Sequence, residues 1–427
     1  MSSNYKLSLS SAIMINMNIM LGAGIFLNPV VLSIYAGAFS PVSYLLVGTL
    51  ILPLALCITY LLQSVPGGSF YDFGSQINKL TGFIAAWSYF IGKLASGALM
   101  LHFGLSLLWK LNPCLQTMNI FTLDFIGIIV FTLLNLLGMK TGKHIQLAFI
   151  IFKIIPIASI IIVGLLSFKS SQFIPVHMDL SGMTGILPLV LYTFTGFEAS
   201  CSLYRSIADP KKNAGKSVIF AFLSVLTLTV LFQLAFYAAI NPTWLLNTPY
   251  FDGLSLFLNS TIKDPSTRNI ILWLLQTGVG LSALGGSYGI LFSVNWNLYI
   301  LAQEKLTFFA HLFTKLNRYH IAWACILAEA FLYAMYLYIW QGYQIPLQQI
   351  AALGCTVSYT ISVLAFYLKS SQKHSIIALL GLTSCFLLLI TTLNGLYIHS
   401  IIPLLGYLLF IGAGIAMFFY KQKTTLQ

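Results

Sequence analysis

The chain has 427 residues, of which 58% are hydrophobic and only 7% charged, whereas soluble chains carry about 25% charged residues. So few charges cannot cover a soluble surface of this size, which sets aside a soluble enzyme, a disordered chain, a nucleic-acid module and a disulfide scaffold. The 21 Lys and Arg against 9 Asp and Glu give a formal charge of +12, and in a membrane protein the placement of that charge says more than its sum.

Crossing the hydrocarbon core takes about 20 apolar residues per helix. Apolar runs bounded by polar or turn-forming clusters fall near 11–36, 41–63, 81–109, 119–138, 144–168, 184–204, 217–240, 269–301, 321–340, 346–368, 375–393 and 397–420. They predict an all-α polytopic protein of twelve transmembrane helices. An even number of spans puts both termini on one side. With the termini inside, fifteen Lys and Arg fall in inner segments and four, Lys110, Lys169, Lys263 and Arg268, in outer loops. The positive-inside rule therefore predicts a multi-pass protein of the plasma membrane, the inner membrane in a bacterium, with both termini cytoplasmic and a basic face toward anionic lipid. The first apolar stretch is long and lacks a cleavage pattern, so it reads as span one rather than a signal peptide.

Span one carries Met17-Asn18-Ile19-Met20-Leu21-Gly22-Ala23-Gly24-Ile25-Phe26, with two glycines near its middle. Small residues allow close helix packing, or they mark a broken helix, which a membrane tolerates only where protein or a cavity satisfies the freed backbone. Span six is interrupted too, at Tyr192-Thr193-Phe194-Thr195-Gly196-Phe197-Glu198. Gly-interrupted helices at corresponding positions of two halves are the mark of an inverted-repeat transporter, with its site between them. On that reading 1–183 is the first repeat (spans one to five and an outer loop), 184–370 the second (spans six to ten), and 371–427 holds spans eleven and twelve and a cytoplasmic tail.

The two breaks carry chemistry of their own. Around Gly22, Ala23, Gly24 and Ile25, the start of the second half-helix offers unpaired N–H groups and a positive dipole end, suited to a substrate α-carboxylate. Carbonyls at the end of the first half-helix and around Thr193, Thr195 and Gly196 suit an α-ammonium. Backbone alone would then recognise a zwitterion, and side-chain identity would be read by Lys93, Gly97, Tyr192, Phe194, Ser287 and Ser358. For Tyr192 and Phe194, ordinary aromatic packing stands beside a pocket or gating role.

Two lysines lie inside spans, Lys93 in the third and Lys153 in the fifth. A mid-span charge costs roughly 2.5–3.5 kcal/mol on the insertion scale. Lys153 is ten residues from Lys143, about 15 Å at helical rise, which is far for snorkelling. Lys93 reads either as a pocket cation or as the partner of an acid such as Glu198. Glu198 reads either as a structural carboxylate at the second break or as a proton-responsive gate. Glu329, in span nine, reads as peripheral.

In order and spacing these pieces resemble the amino acid–polyamine–organocation (APC) superfamily, and within it the basic amino acid/polyamine antiporters of the arginine/agmatine type. The resemblance covers most of the chain. It is carried by Gly22-Ala23-Gly24-Ile25-Phe26, Pro66-Gly67-Gly68-Ser69-Phe70, Phe90-Ile91-Gly92-Lys93-Leu94-Ala95, Phe194-Thr195-Gly196-Phe197-Glu198 with Asp209-Pro210-Lys211-Lys212-Asn213, and Leu284-Gly285-Gly286. It implies a LeuT-type 5+5 inverted repeat, secondary amino acid transport by alternating access with proton-coupled symport or exchange, and no cofactor. It aligns Tyr192 with a gating aromatic. It also implies that the Lys153 ammonium stands where sodium binds in sodium-coupled relatives, which makes transport sodium-independent. Departures are Ser206 for an acidic residue, Gly215 for a proline, Asn295-Trp296-Asn297 for an arginine-containing segment, and Lys93 for the antiporters' asparagine. A Lys93 facing the pocket favours neutral or acidic amino acids over cationic ones.

Other signals carry no function. Gly215-Lys216-Ser217 resembles the end of a phosphate loop, but Pro210 takes the place of the first glycine. The six cysteines are dispersed, without CxxC or Cys/His clusters, and no His/Glu metal spacing or catalytic carboxylate pair occurs. The expected partners are an amino acid, protons and membrane lipid, with no nucleic acid or metal, and a homodimer through spans eleven and twelve. A transporter-like nutrient sensor, a channel and a membrane-embedded enzyme are the alternatives. The enzyme is the weakest, since no acidic or basic residues within the membrane are spaced to act together.

Overall fold

The computed structural model describes residues 5–22, 24–168, 190, 193–240, 253–369 and 372–425. Its elements are helices: α1 Leu9–Met20, α2 Gly24–Ala36, α3 Ser40–Ser64, α4 Phe70–Ser75, α5 Lys79–Leu111, α6 Pro113–Gln116, α7 Ile120–Asn135 and α8 Met139–Leu166. These are followed by α9 Ala199–Ser202, α10 Pro210–Ala239, α11 Gly253–Thr261, α12 Pro265–Gln303, α13 Ala310–Phe313, α14 Trp323–Trp340, α15 Gln344–Lys369, α16 Gln372–His399 and α17 Ile402–Thr425. Among the described residues nine helical stretches are long and apolar enough to cross a membrane, and α1 and α7 are shorter apolar helices. Every apolar run of the sequence thus holds helix, although within 184–204 the described helix is short, at 190, 193–194 and α9, and residues 184–189 and 191–192 lie outside the described residues.

Caps fix where several helices begin. Ser69 and Asp72 form a reciprocal capping box at α4, Asn78 and Thr81 another at α5, and Asp264 caps α12 through the Thr267 N–H at 2.7 Å. These boxes satisfy N–H groups that a helix start leaves unpaired. The fourth apolar run was expected to reach residue 138, yet α7 ends at Asn135 because the chain turns there, with Gly138 at φ 103°.

The centre of the bundle is α5, buried along most of its length and packed against α12 and α15. Close approach rests on glycine: a Cβ on Gly354 would lie 2.4 Å from the Ser88 carbonyl oxygen and 2.6 Å from the Gly92 Cα. A second layer packs α3 on α10, and α1 lies among α8, α10 and α12. The perimeter is apolar and exposed, including Phe152 and Ile155 on α8, Phe386 on α16 and Leu409 on α17. Such a belt would be an aggregation hazard in water and is the ordinary surface of a helix facing lipid tails.

Overpacking a filled interface costs about 1–3 kcal/mol or more. Gly354→Leu is therefore expected to lower the melting temperature of the detergent-solubilised protein by several degrees. Gly412→Ala, where an added Cβ meets nothing within 4 Å, should leave it unchanged. Equal melting temperatures for the two variants would contradict the α5–α15 packing.

Candidate functional site

Span one is broken. The first half, α1, ends at Met20, the chain runs through Leu21 and Gly22 without helical structure, and α2 starts at Gly24. The carbonyls released at this end are taken up by side chains. Lys153 Nζ, wholly buried on α8, donates to the carbonyl oxygens of Asn18 and Leu21, both at 2.7 Å. Ser282 on α12 adds a hydrogen bond to the Leu21 carbonyl at 3.0 Å. The Asn18 side chain, also buried, donates to the Gly285 carbonyl at 2.8 Å and to Gln146 Oε1 on α8. An ammonium among carbonyl oxygens is chemically what a bound alkali cation would be there, with the charge tethered to a helix.

Thr193 and Phe194 are helical, the second break runs from Thr195 to Glu198, and it leads into the four-residue α9. Gly196 has φ 124°, and a Cβ there would also lie 2.8 Å from Ile19 Cγ2 and 3.0 Å from the Met20 N, so only glycine fits. That contact brings the two breaks together. Asn28 Nδ2 on α2 donates to Thr193 Oγ1 at 2.8 Å, and Asn16 Nδ2 on α1 to Ser200 Oγ at 3.0 Å. A Cβ on Gly24 would be 3.4 Å from Thr193 Oγ1. The start of α2 thus lies beside the helical residues that lead into the second break.

Glu198 closes the second break. Its Oε2 accepts from the Gly196 N–H at 2.8 Å, while its Oε1 lies 2.7 Å from Lys93 Nζ and accepts from the Tyr89 hydroxyl at 3.1 Å. Both charged side chains are buried, 2% and 0% exposed. Of the two sequence readings of Lys93, the structure realises the ion pair.

The remaining candidates divide. Ser287 and Ser358 are buried with no hydrogen-bond partner for their hydroxyls among the described residues. Phe194 is buried between the rings of Tyr44 (6.2 Å, edge-on) and Phe222 (5.4 Å). Gly97 faces α14: a Cβ there would collide with the Tyr333 hydroxyl, which donates to the Ser287 carbonyl at 3.3 Å. Ile25 and Thr193 are buried and Thr195 half-buried. Tyr192 and Ala23 lie outside the described residues. Glu329, expected at the periphery, is fully buried in α14. The sequence reading missed Met100, whose thioether fills the space beside both Gly22 and Gly286, 2.8 Å from a Cβ built on either. It also missed Asn18 and Ser282. A polar Asn18 two residues before Met20 in an apolar run was the available signal; Met100 had none.

At the basic end of the bundle the N-terminal segment pairs with the strand-like stretch after α9, through Leu7 N to the Ser206 carbonyl (2.8 Å) and Ala208 N to the Leu7 carbonyl (2.9 Å). A cavity of about 500 Å³ opens there, lined by Lys6, Lys140, Arg205 and Arg318 among others. In the loop helix α4, Tyr71 donates to Glu304 Oε2 at 3.4 Å, and burial together with that carboxylate pushes its phenol up to about 12. It therefore remains a donor throughout the physiological range. Among the described residues no three His, Cys, Asp or Glu side chains gather as a metal ion would need.

Interrupted helices facing each other inside an apolar bundle are a feature that many membrane transporters share. The family profile described as amino acid permease matches residues 7–425, and the chain belongs to that family, within the APC superfamily that its motifs resemble. It is 27% identical over 233 residues to the branched-chain amino acid permease of Bacillus subtilis, covering 50% of this chain and 49% of the relative. It is 26% identical over 215 residues to the serine/threonine exchanger of Bacillus subtilis, covering 48% and 49%. To an arginine/ornithine antiporter of Lactococcus lactis it is 24% identical over 257 residues, covering 52% and 48%. The chain thus spans about half the length of these relatives.

Because a buried carbonyl left unpaired costs about 1–3 kcal/mol, Lys153→Ala is expected to lower the melting temperature in detergent by several degrees. Phe152→Ala, at an exposed neighbour on the same helix (52% exposed), should change it little. A Lys153→Ala variant as stable as the parent would remove the lysine from its role at the first break.

Proposed function

We propose that the protein is a secondary active amino acid transporter that works by alternating access. It would have the LeuT-type arrangement of two five-helix inverted repeats, 1–183 and 184–370, within twelve spans, and both termini in the cytoplasm. The observation that carries this reading is the meeting of the two breaks: the start of α2 at Gly24 stands beside Thr193, and Gly196 lies against Ile19 and Met20. Unpaired N–H groups at a helix start suit a carboxylate, and freed carbonyls suit an ammonium. A free amino acid carries both at neutral pH. Gly22, Ala23, Gly24, Ile25, Thr193, Thr195 and Gly196 would supply these contacts. Lys93, Gly97, Tyr192, Phe194, Ser287 and Ser358 would bound the side-chain end.

Sodium independence is supported by Lys153, whose ammonium already sits on the Asn18 and Leu21 carbonyls. A neutral side chain is the favoured substrate, since Glu198 is already met by Lys93, Tyr89 and the Gly196 N–H and has no vacant charge to offer a cationic one. Two of the relatives, named for branched-chain amino acids and for serine/threonine, agree with this preference, while the arginine/ornithine antiporter does not. Proton coupling through Lys153 and Glu198, in symport or exchange, belongs to the same reading, as do a plasma-membrane location and a homodimer through α16 and α17.

Uptake and counterflow of labelled amino acids in proteoliposomes test it. Flux of neutral amino acids without sodium is expected, lost in Gly24→Leu, whose side chain would fill the gap to Thr193. A sodium requirement, or full flux through Gly24→Leu, would overturn the reading. Saturable binding without flux would instead mark a sensor, and currents beyond carrier turnover a channel.

A further inference from the structure

The Lys93–Glu198 pair joins α5, the buried centre of the bundle, to its second break. Lys93 and Tyr89 are one turn apart on α5, so they project from the same face and grip one carboxylate oxygen, Glu198 Oε1, at 2.7 and 3.1 Å. The other oxygen holds the Gly196 N–H at 2.8 Å. The path from scaffold to break is therefore continuous: α5, Lys93, Glu198, Gly196. The Lys93 ammonium also lies 5.7 Å from the centroid of the Tyr89 ring, a face that itself attracts cations. Carboxylate, phenol and aromatic face together make a site suited to an organic ammonium, and Lys93 occupies it.

Removing one member of a buried ion pair leaves an uncompensated charge, which is far worse than removing both. Without Lys93, Glu198 would need a proton or a cation from outside. The titratable groups around it are Lys93 and Tyr89 from α5, Cys201 from α9, and Cys355 and Tyr359 from α15. Of these only Lys93 is cationic.

We propose that Lys93 is a tethered counter-cation: it fills a primary-ammonium site formed by Glu198 and Tyr89, fixes the second break through Glu198, and thereby excludes substrates with cationic side chains. The exclusion of cationic substrates rests on the transporter reading above; the existence of the ammonium site does not. Truncation of Lys93 to alanine removes the atoms of n-propylammonium, which makes that ion the natural probe.

The full chain in detergent is compared as wild type, Lys93→Ala, and Lys93→Ala/Glu198→Gln by thermal melting. Each is melted with n-propylammonium chloride or an equal concentration of tetramethylammonium chloride. Lys93→Ala should melt several degrees lower than wild type and regain much of the loss with n-propylammonium but not with the bulkier ion. The double variant should be more stable than Lys93→Ala and indifferent to either salt. A double variant no more stable than the single one, or a single variant that responds equally to both salts, would overturn the proposal, since the loss would then be one of packing. If Lys93→Ala does not insert, recovery of insertion in the double variant supports the proposal and failure of both overturns it. In proteoliposomes, Lys93→Ala should shift preference from L-leucine toward L-arginine. Wild type that moves neither amino acid would defeat the transporter reading while leaving the melting result to decide the ammonium site.

Discussion

Backbone groups freed at a helix break cannot stay bare at membrane depth, and the centre of this protein is arranged around closing two such breaks. The first is closed by a side chain from another helix and the second by a side chain of the break itself. Lys153 covers two carbonyls at the first, and Glu198 accepts a Gly196 N–H at the second. The choice of sign follows from the backbone: the end of a half-helix exposes oxygens and attracts a cation, whereas the glycine at the second break exposes an N–H and attracts an anion.

The two solutions differ in what they demand of their surroundings. Lys153 sits among neutral dipoles from Asn18, Leu21 and their neighbours, so its charge is solvated by the backbone itself. Glu198 has only one backbone donor in its set and takes its compensation from Lys93 and Tyr89 on α5. That places α5 in a double role. Its glycine contacts with α15 set the bundle, and its polar face holds the second break.

The helices and both breaks were legible in the sequence because apolar runs, glycines and the intramembrane charges Lys93, Lys153 and Glu198 are local or costly features. Their partners were less legible. Lys153 could be assigned to the first break only by family resemblance, since its acceptors are main-chain oxygens 135 and 132 residues away that carry no sequence signature. Lys93 stood between two readings because the facing of a residue on a helix buried all round leaves no periodic trace; its i, i+4 relation to Tyr89 was visible, but their shared acceptor was not. The neighbour of Gly97, Tyr333 on α14, was not legible either, since the facing of a glycine on a buried helix leaves no trace in sequence. Met100 was unreadable, being one methionine among many apolar residues, and only the three-dimensional approach of Gly22 and Gly286 shows what it fills.

These features bear on which parts of the proposed cycle could move. The α5, α12 and α15 packing is built on backbone-to-backbone contacts at glycine, and such interfaces tolerate little sliding because no side chains are available to repack. The breaks are different. They are held by a few hydrogen bonds, donated by Lys153, Asn28 and Ser282 and accepted by Glu198, and such bonds exchange partners more readily than a close-packed seam separates. In a transporter of this construction the half-helices would swing about their breaks against a fixed α5. Lys93 would then keep one end of the second break anchored while the first, solvated only by Lys153 and neutral groups, changes its exposure.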